Sequence, residues 1–86
     1  MIFEVKIKDN DEVITEYIKQ DSVLAALQFL CRVVYKSIIF DILDINEISE
    51  EILKQTTVDF QGKRLSVFDI FNKNPSLYYI SYSDYW

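Results

Sequence analysis

Two groups of residues in this 86-residue chain have side chains that could bind a ligand or do chemistry. The first group is a set of carboxylates, because residues 41 to 59 contain six acids and a single base. The remaining residues carry eight acids and eight bases, so the formal net charge of −5 belongs to this one segment. Carboxylates at such density could bind a basic protein surface, imitate a row of phosphates or ligate a cation.

The spacing of apolar residues after position 43 predicts that most of these acids share one face of a helix. The isoleucines at 45, 48 and 52 would cluster on one side of a helix over 44–55, with the carboxylates opposite. The acids on that predicted outer face are Asp44, Glu47, Glu50 and Glu51. They form either an ordinary solvated face, with acids favoured near the helix N-terminus, or an electronegative contact surface for a partner. The segment lacks a glycine-containing calcium loop, so we expect no metal site.

The second group is aromatic and lies at the C-terminus. Five tyrosine and tryptophan residues fall within the last nine positions. Tyr and Trp are frequent hot spots of protein interfaces. We therefore take Tyr82, Tyr85 and Trp86 as candidate partner contacts, with packing inside the fold as the alternative. Stacking on nucleic acid bases would need a basic groove, and the acidic segment also opposes a phosphate backbone. We expect no direct binding of nucleic acid.

The composition excludes several kinds of site. Without histidine there is no His-based triad, and one cysteine, Cys31, can form neither an internal disulfide nor a thiolate metal cluster. One glycine, Gly62, is too few for a phosphate-binding loop. No nucleophile, base and orienting residue can be assembled, so we expect neither enzyme activity nor a cofactor. The lone thiol favours a cytoplasmic protein, and no apolar run is long enough to cross a membrane.

The elements that would position these groups alternate between strands and helices. Ile2 to Lys8 alternates apolar and polar residues, and Val13 to Lys19 repeats a β-rich pattern, so the two predict a hairpin. A helix over 23–36 follows, capped near Ser22. It is apolar around most of its circumference, which predicts burial on more than one side. Residues 37–43 are rich in β-branched residues and predict a third strand.

The residue pattern in the second half of the sequence predicts four elements. They are the acidic helix, a hairpin around Gly62, a short helix from Ser66 to about Phe71 and a closing strand over 77–82. The fold class is therefore α+β: a small, mostly antiparallel sheet packed on one central helix. Length and the absence of linkers predict a single domain over 1–86.

The codon bias of the composition indicates an AT-rich genome. Ile, Lys, Phe, Tyr and Asn total 35 residues, whereas Gly, Ala, Arg and Pro total six. In size, acidity and composition the chain is similar to small phage-encoded inhibitors, including anti-CRISPR proteins and other nucleic-acid mimics. This resemblance implies a binding module that occupies a basic surface of a nucleic-acid-handling enzyme. The alternative hypothesis is a self-associating scaffold module, for instance a homodimer, that uses the apolar helix and the terminal aromatic residues.

Overall fold

The computed structural model describes residues 1–9, 11–36 and 40–83. Its strands are β1 (Ile2–Asp9), β2 (Glu12–Lys19), β3 (Asp41–Glu47), β4 (Thr57–Phe60), β5 (Lys63–Ser66) and β6 (Tyr79–Ser83). Its helices are α1 (Val23–Phe29), α2 (Glu50–Gln55) and α3 (Val67–Lys73), and a π-helical turn (Leu30–Val34) continues α1. The α+β class is confirmed.

The main sheet has four strands in the order β3-β1-β2-β6, and all its pairings are antiparallel. Strands β4 and β5 form a separate two-stranded sheet. In the main sheet, β1 and β2 are central while β3 and β6 are its two edges. The acidic segment therefore begins on an edge strand, and among the described residues no strand pairs with the outer side of its backbone.

One face of the main sheet packs against α1 and the π-helical turn. We call this packing the first core; its buried members are Phe3, Val5, Ile7, Ile18, Ala26 and Leu30. Phe29 of α1 meets Tyr79 of β6 in an edge-to-face ring contact with 5.6 Å between centroids. The helix thereby contacts both a central strand and the β6 edge, as the predicted central helix requires.

The opposite face of the sheet is covered by α2, α3 and the β4–β5 hairpin. We call this packing the second core; its buried members are Tyr17, Leu53, Val58, Val67, Ile70, Phe71 and Ile80. The prediction included these elements but did not place them, and they form a layer on the far side of the sheet from α1. Strand β2 is consequently buried on both faces, with four consecutive buried residues from Thr15 to Ile18.

The predicted first hairpin is confirmed, with β1 and β2 paired from Ile2↔Lys19 to Asp9↔Glu12. The predicted first helix is confirmed in position and ends at Val34 with its π-helical turn. The expectation that this helix is buried on several sides is wrong. Within α1 only Ala26 is buried, and Leu24 is 66% exposed. No described element covers the outer face of α1, where Leu24 and Val23 are exposed.

The predicted helix over 44–55 is wrong in its first part, since Asp44 and Glu47 lie on β3 and α2 begins at Glu50. The predicted third strand therefore ends four residues later than expected, and its residues 37–39 lie outside the described part of the chain. The spacing of three between Ile45 and Ile48, on which the helix prediction depended, explains the error, because in the extended chain it places Ile45 against the first core and Ile48 against the second. Strand β3 also contains a β-bulge. Ile42 pairs with Ile7 and Ile45 with Val5, so Leu43 is an extra residue between them. The bulge gives the two isoleucines a helix-like spacing of three although both face the first core side.

Serine caps begin the later helices, as elementary capping chemistry predicts. Ser49 Oγ accepts a hydrogen bond from the Ile52 backbone N–H at 3.4 Å, and Ser66 Oγ accepts one from Asp69 at 3.1 Å. The short helix from Ser66 is confirmed and runs to Lys73. The closing strand is confirmed as β6, two residues later at its start than predicted.

The turn between β4 and β5 generates a stability prediction. Gln61 and Gly62 have φ values of 52° and 81°, so both residues are in the left-handed region that type I′ hairpin turns require. A methyl group at Gly62 would meet no atom within 4 Å, so only backbone strain opposes it. We expect Gly62→Ala to lower the free energy of unfolding by about 1 kcal/mol. That loss corresponds to a melting temperature roughly 4–8 °C lower. Gly62→Asn is the matched control and should lose less, because Asn tolerates this conformation; equal losses would contradict the explanation.

Candidate functional site

The structure spreads the predicted carboxylates along an edge strand and the start of a helix. Asp41, Asp44 and Glu47 lie on β3, and Glu50 and Glu51 form the first turn of α2. All five side chains are exposed. We call these five residues the acidic surface. Its strand part alone extends about 20 Å at roughly 3.3 Å per residue, so it is longer and less dense than the single helix face that the sequence predicted.

The acids of β3 do not all face the same way. Asp44 lies opposite Lys6 of β1, and Asp41 lies opposite Lys8. Opposite charges at directly paired positions favour this register. Glu47 instead lies opposite Phe3, on the side of the sheet that faces the first core. The strand therefore presents two acids on one face and a third on the other.

Asp44 also makes contacts with its own strand. Its Oδ1 accepts a hydrogen bond from the Ile45 backbone N–H at 3.0 Å, and its Oδ2 accepts one from Asn46 Nδ2 at 2.8 Å. The carboxylate thus lies along β3 instead of extending into solvent. It satisfies a backbone donor that no neighbouring strand in the described sheet satisfies.

The helical part of the acidic surface includes one ion pair. Glu50 Oε1 lies 3.8 Å from Lys54 Nζ, and both side chains are more than half exposed. A pair this exposed contributes little to stability. Lys54 Nζ also lies 4.9 Å from the centre of the Phe68 ring. No hydrogen bond or ion pair joins the side-chain carboxylate of Glu47 or Glu51 to any residue in the described part of the chain. These two carboxylates are the ones most available to another molecule.

An apolar groove borders the acidic surface at Glu50. It has a volume of about 320 Å³ and lies between the N-terminus of the chain, α2 and α3. Its apolar lining includes Ile2, Leu53, Phe68 and Phe71. The sequence contained no direct signal for this groove, because its walls come from three distant segments. It offers a place for an apolar side chain next to the carboxylates.

The C-terminal aromatic residues are only partly within the described structure. Tyr82 is half-buried and packs against the second core. Its hydroxyl, together with the Asp59 carboxylate, raises the pKa of the Arg64 guanidinium. Tyr82 therefore has an intramolecular role, and its predicted partner contact stays a prediction. Tyr85 and Trp86 lie outside the described residues, so their predicted contact also stays a prediction.

A buried carboxylate that the motif search missed lies in the middle of the sheet. Glu16 is 1% exposed. Ser81 Oγ donates to this carboxylate, lying 2.7 Å from each oxygen, and the Tyr35 hydroxyl donates to Oε1 at 3.2 Å. The signal was present in the sequence, since Glu16 interrupts an apolar strand face between Ile14 and Ile18. Its burial excludes contact with a substrate, so it acts within the fold.

Burial controls the protonation of this group. Desolvation raises the pKa of Glu16, and the hydrogen bonds from Ser81 and Tyr35 offset part of the rise. Burial and the neighbouring Glu16 charge likewise raise the pKa of Tyr35. The two hydroxyls make the buried charge tolerable, because each directs a proton toward the carboxylate.

Two further kinds of site are absent from residues 1–9, 11–36 and 40–83. No group of three or more acidic, histidine or cysteine side chains there could hold a metal ion. No helix in the same residues has the length and apolar character needed to cross a membrane. Comparison with protein-family models, with curated proteins and with solved structures finds no match for this chain.

The raised pKa of Glu16 predicts a pH-dependent stability. The folded chain binds this proton more tightly than the unfolded chain, in which the glutamate pKa is near its ordinary value of 4.5. Glu16 therefore makes the free energy of unfolding fall as the pH rises from about 4.5 through its folded pKa. Gln cannot ionise, so the Glu16→Gln variant does not lose this contribution as the pH rises. The melting temperature of the variant minus that of the native chain should therefore increase over that pH range. The control is Glu47→Gln, which removes an exposed carboxylate. Parallel pH profiles of the melting temperature for the native chain and Glu16→Gln would show that Glu16 does not cause this pH dependence.

Proposed function

We propose that this chain is a non-enzymatic protein-binding module whose acidic surface binds a basic surface on another protein. The observation that carries the proposal is the continuity of five exposed carboxylates with an apolar groove at Glu50. Charges of one sign accelerate encounter and select partners, whereas an apolar pocket supplies contact that excludes water. A surface that combines the two is well suited to protein recognition.

The electrostatics of the segment support the same proposal. The acids of residues 41 to 59 outnumber its single base, Lys54, by six to one. Lys54 is already held by Glu50 and the Phe68 ring. Glu47 and Glu51 then provide negative charge that a partner's lysines or arginines can neutralise. The sixth acid, Asp59, lies 3.5 Å from Arg64 and is not part of this surface.

The narrower proposal concerns the partner and the source. The composition is similar to that of phage and mobile-element inhibitors, so we propose a cytoplasmic inhibitor of the anti-CRISPR kind. Its partner would be a nucleic-acid-handling enzyme, whose basic groove the acidic surface occupies in place of phosphates. What supports this narrower proposal is size, acidity and codon composition, together with the exposed carboxylates.

Charge reversal with a matched control tests the acidic surface. Glu47 and Glu51 make the best targets because no described hydrogen bond depends on their side chains. Glu47→Lys with Glu51→Lys, and Asp11→Lys with Asp21→Lys, both change the formal net charge from −5 to −1. We expect affinity capture from a lysate of the source organism, at low salt, to lose its specific partner only with the first variant. High salt should weaken capture by the native chain, since it screens exposed charges.

Circular dichroism and the melting temperature establish that both double variants are folded. Equal capture by the two variants would contradict a contact through the acidic surface. If capture persists at high salt and in the Glu47–Glu51 variant, the partner instead binds through the apolar groove or Tyr82.

A second candidate function is self-association through the outer face of α1. The observation that favours it is an exposed apolar patch formed by Val23, Leu24 and Val33. A two-fold dimer would bury such a patch on both copies. Static light scattering over a wide concentration range separates the candidates. The binding-module proposal predicts a monomer throughout, whereas self-association predicts a dimer that Leu24→Glu dissociates.

A further inference from the structure

The open edge of β3 has backbone groups that can form hydrogen bonds with another strand. The Ile48 backbone N–H donates to the Ile2 carbonyl at 2.9 Å, so Ile48 and Ile2 form a hydrogen-bonded pair at the end of the ladder between β3 and β1. Bonded and non-bonded pairs alternate in an antiparallel ladder. The N–H and C=O of Ile45 and Glu47 therefore point away from β1, toward the open side. The hydrogen bond from the Ile45 N–H to the Asp44 carboxylate is consistent with this orientation.

The side chains along this edge differ between its two faces. Asp41 and Asp44 lie on the face that carries Lys8 and Lys6, whereas Ile42 and Ile45 lie on the other. Leu43, the bulged residue, is 54% exposed. A strand added at this edge would thus meet two carboxylates on one face, and on the opposite face two apolar side chains followed by Glu47.

Strand β1 indicates which kind of strand fits β3. On the side of β3 that is already paired, Lys6 and Lys8 lie opposite the acids, while Val5 and Ile7 lie opposite the isoleucines. Side chains of β3 project above and below the sheet, so a strand on the open side meets the same side chains. The complementary sequence is therefore one that alternates basic and apolar residues.

A second copy of β3 does not have that complementarity. An antiparallel self-pair centred on Asp44 would place the Asp44 carboxylates of the two copies opposite one another. Like charges directly opposite one another destabilise a ladder. Repulsion between these two carboxylates opposes self-pairing in this register.

We propose that the partner of this chain adds an extended segment with alternating basic and apolar residues to the open edge of β3. The proposal rests on the proposed function and specifies its partner contact as β-strand addition. Asp44 gives the edge its selectivity. A neutral strand finds the Ile45 N–H occupied by the Asp44 carboxylate, whereas a lysine or arginine on the incoming strand binds that carboxylate and frees the N–H.

Synthetic peptides as long as β3 test strand addition directly. The probe alternates lysine with valine. One control has the same side chains with N-methylated backbone amides, and a second alternates glutamate with valine. The N-methyl peptide keeps the charge but cannot donate backbone hydrogen bonds. By NMR titration of the native chain, we expect the lysine–valine peptide alone to shift the β3 amides and to slow the exchange of the Glu47 amide proton.

A pair of variants isolates the backbone contribution from the charge. Glu47→Gln removes the carboxylate, and Glu47→Pro removes both the carboxylate and the outward N–H. Proline is tolerated on an edge strand where its N–H would face solvent, and the melting temperature checks the fold. We expect the proline variant to bind the lysine–valine peptide about fivefold more weakly than the glutamine variant, the loss of one backbone hydrogen bond.

The outcomes separate this inference from the proposed function. Equal binding of the N-methyl peptide, or no binding of the lysine–valine peptide, overturns strand addition. Concentration-dependent β3 shifts in the chain alone would overturn it too, by making a second copy the occupant. The two peptide results leave the proposed function unaffected, whereas self-association would also contradict the monomer that it predicts. Its acidic contact is contradicted separately, if the Glu47–Glu51 and Asp11–Asp21 reversals capture the partner equally.

Discussion

The burial of β2 on both faces is the constraint on which the rest of this fold depends. Four consecutive residues from Thr15 to Ile18 are inaccessible, so this strand needs a layer above and a layer below it. A chain of 86 residues must build both layers from short elements. The helix α1 supplies one, and α2, α3 and the β4–β5 hairpin supply the other. Little chain remains to cover the outer face of α1 or the edges of the sheet.

The same constraint explains why a carboxylate can lie in the core. Glu16 points toward α1 from the centre of the sheet, where an unpaired charge would be costly. The Ser81 hydroxyl from β6 and the Tyr35 hydroxyl beyond the π-helical turn meet it there. A one-residue slip of β6 would replace Ser81 with Ile80 or Tyr82 and expose the carboxylate to an apolar neighbour. The network therefore favours one register for β6 and one position for the end of α1.

The exposed elements are those on which the proposed function depends. Because β1 is the one described strand that pairs with β3, the acids of β3 lie at the edge of the sheet and its outward backbone groups face no other described strand. The acids and the bulge also protect this edge from pairing with other copies of the chain. In the proposed strand addition, a basic segment would make these same features favourable. Protection against self-pairing and selection of a partner then come from the same side chains.

Local pattern in the sequence was sufficient for the elements whose signals are short-range. The alternation of β1, the turn at Gly62 and the capping serine at position 66 each predicted what the structure contains. The concentration of charge between residues 41 and 59 was also readable directly. The serine at position 49, followed by two glutamates, was a readable helix start, but the isoleucine spacing across 42 to 52 obscured it.

Tertiary structure alone decided which side of the strand–helix boundary Asp44 and Glu47 occupy. Ile45 and Ile48 are three residues apart, as on a helix face, and only the packing of the two cores shows that they lie on opposite sides of the sheet. The second layer, the groove beside Glu50 and the hydroxyl partners of Glu16 likewise join residues far apart in sequence. Such contacts depend on how layers pack, which no local periodicity encodes. The sequence determined that this chain carries a concentrated negative charge, and the fold decided that the charge lies along an open strand edge.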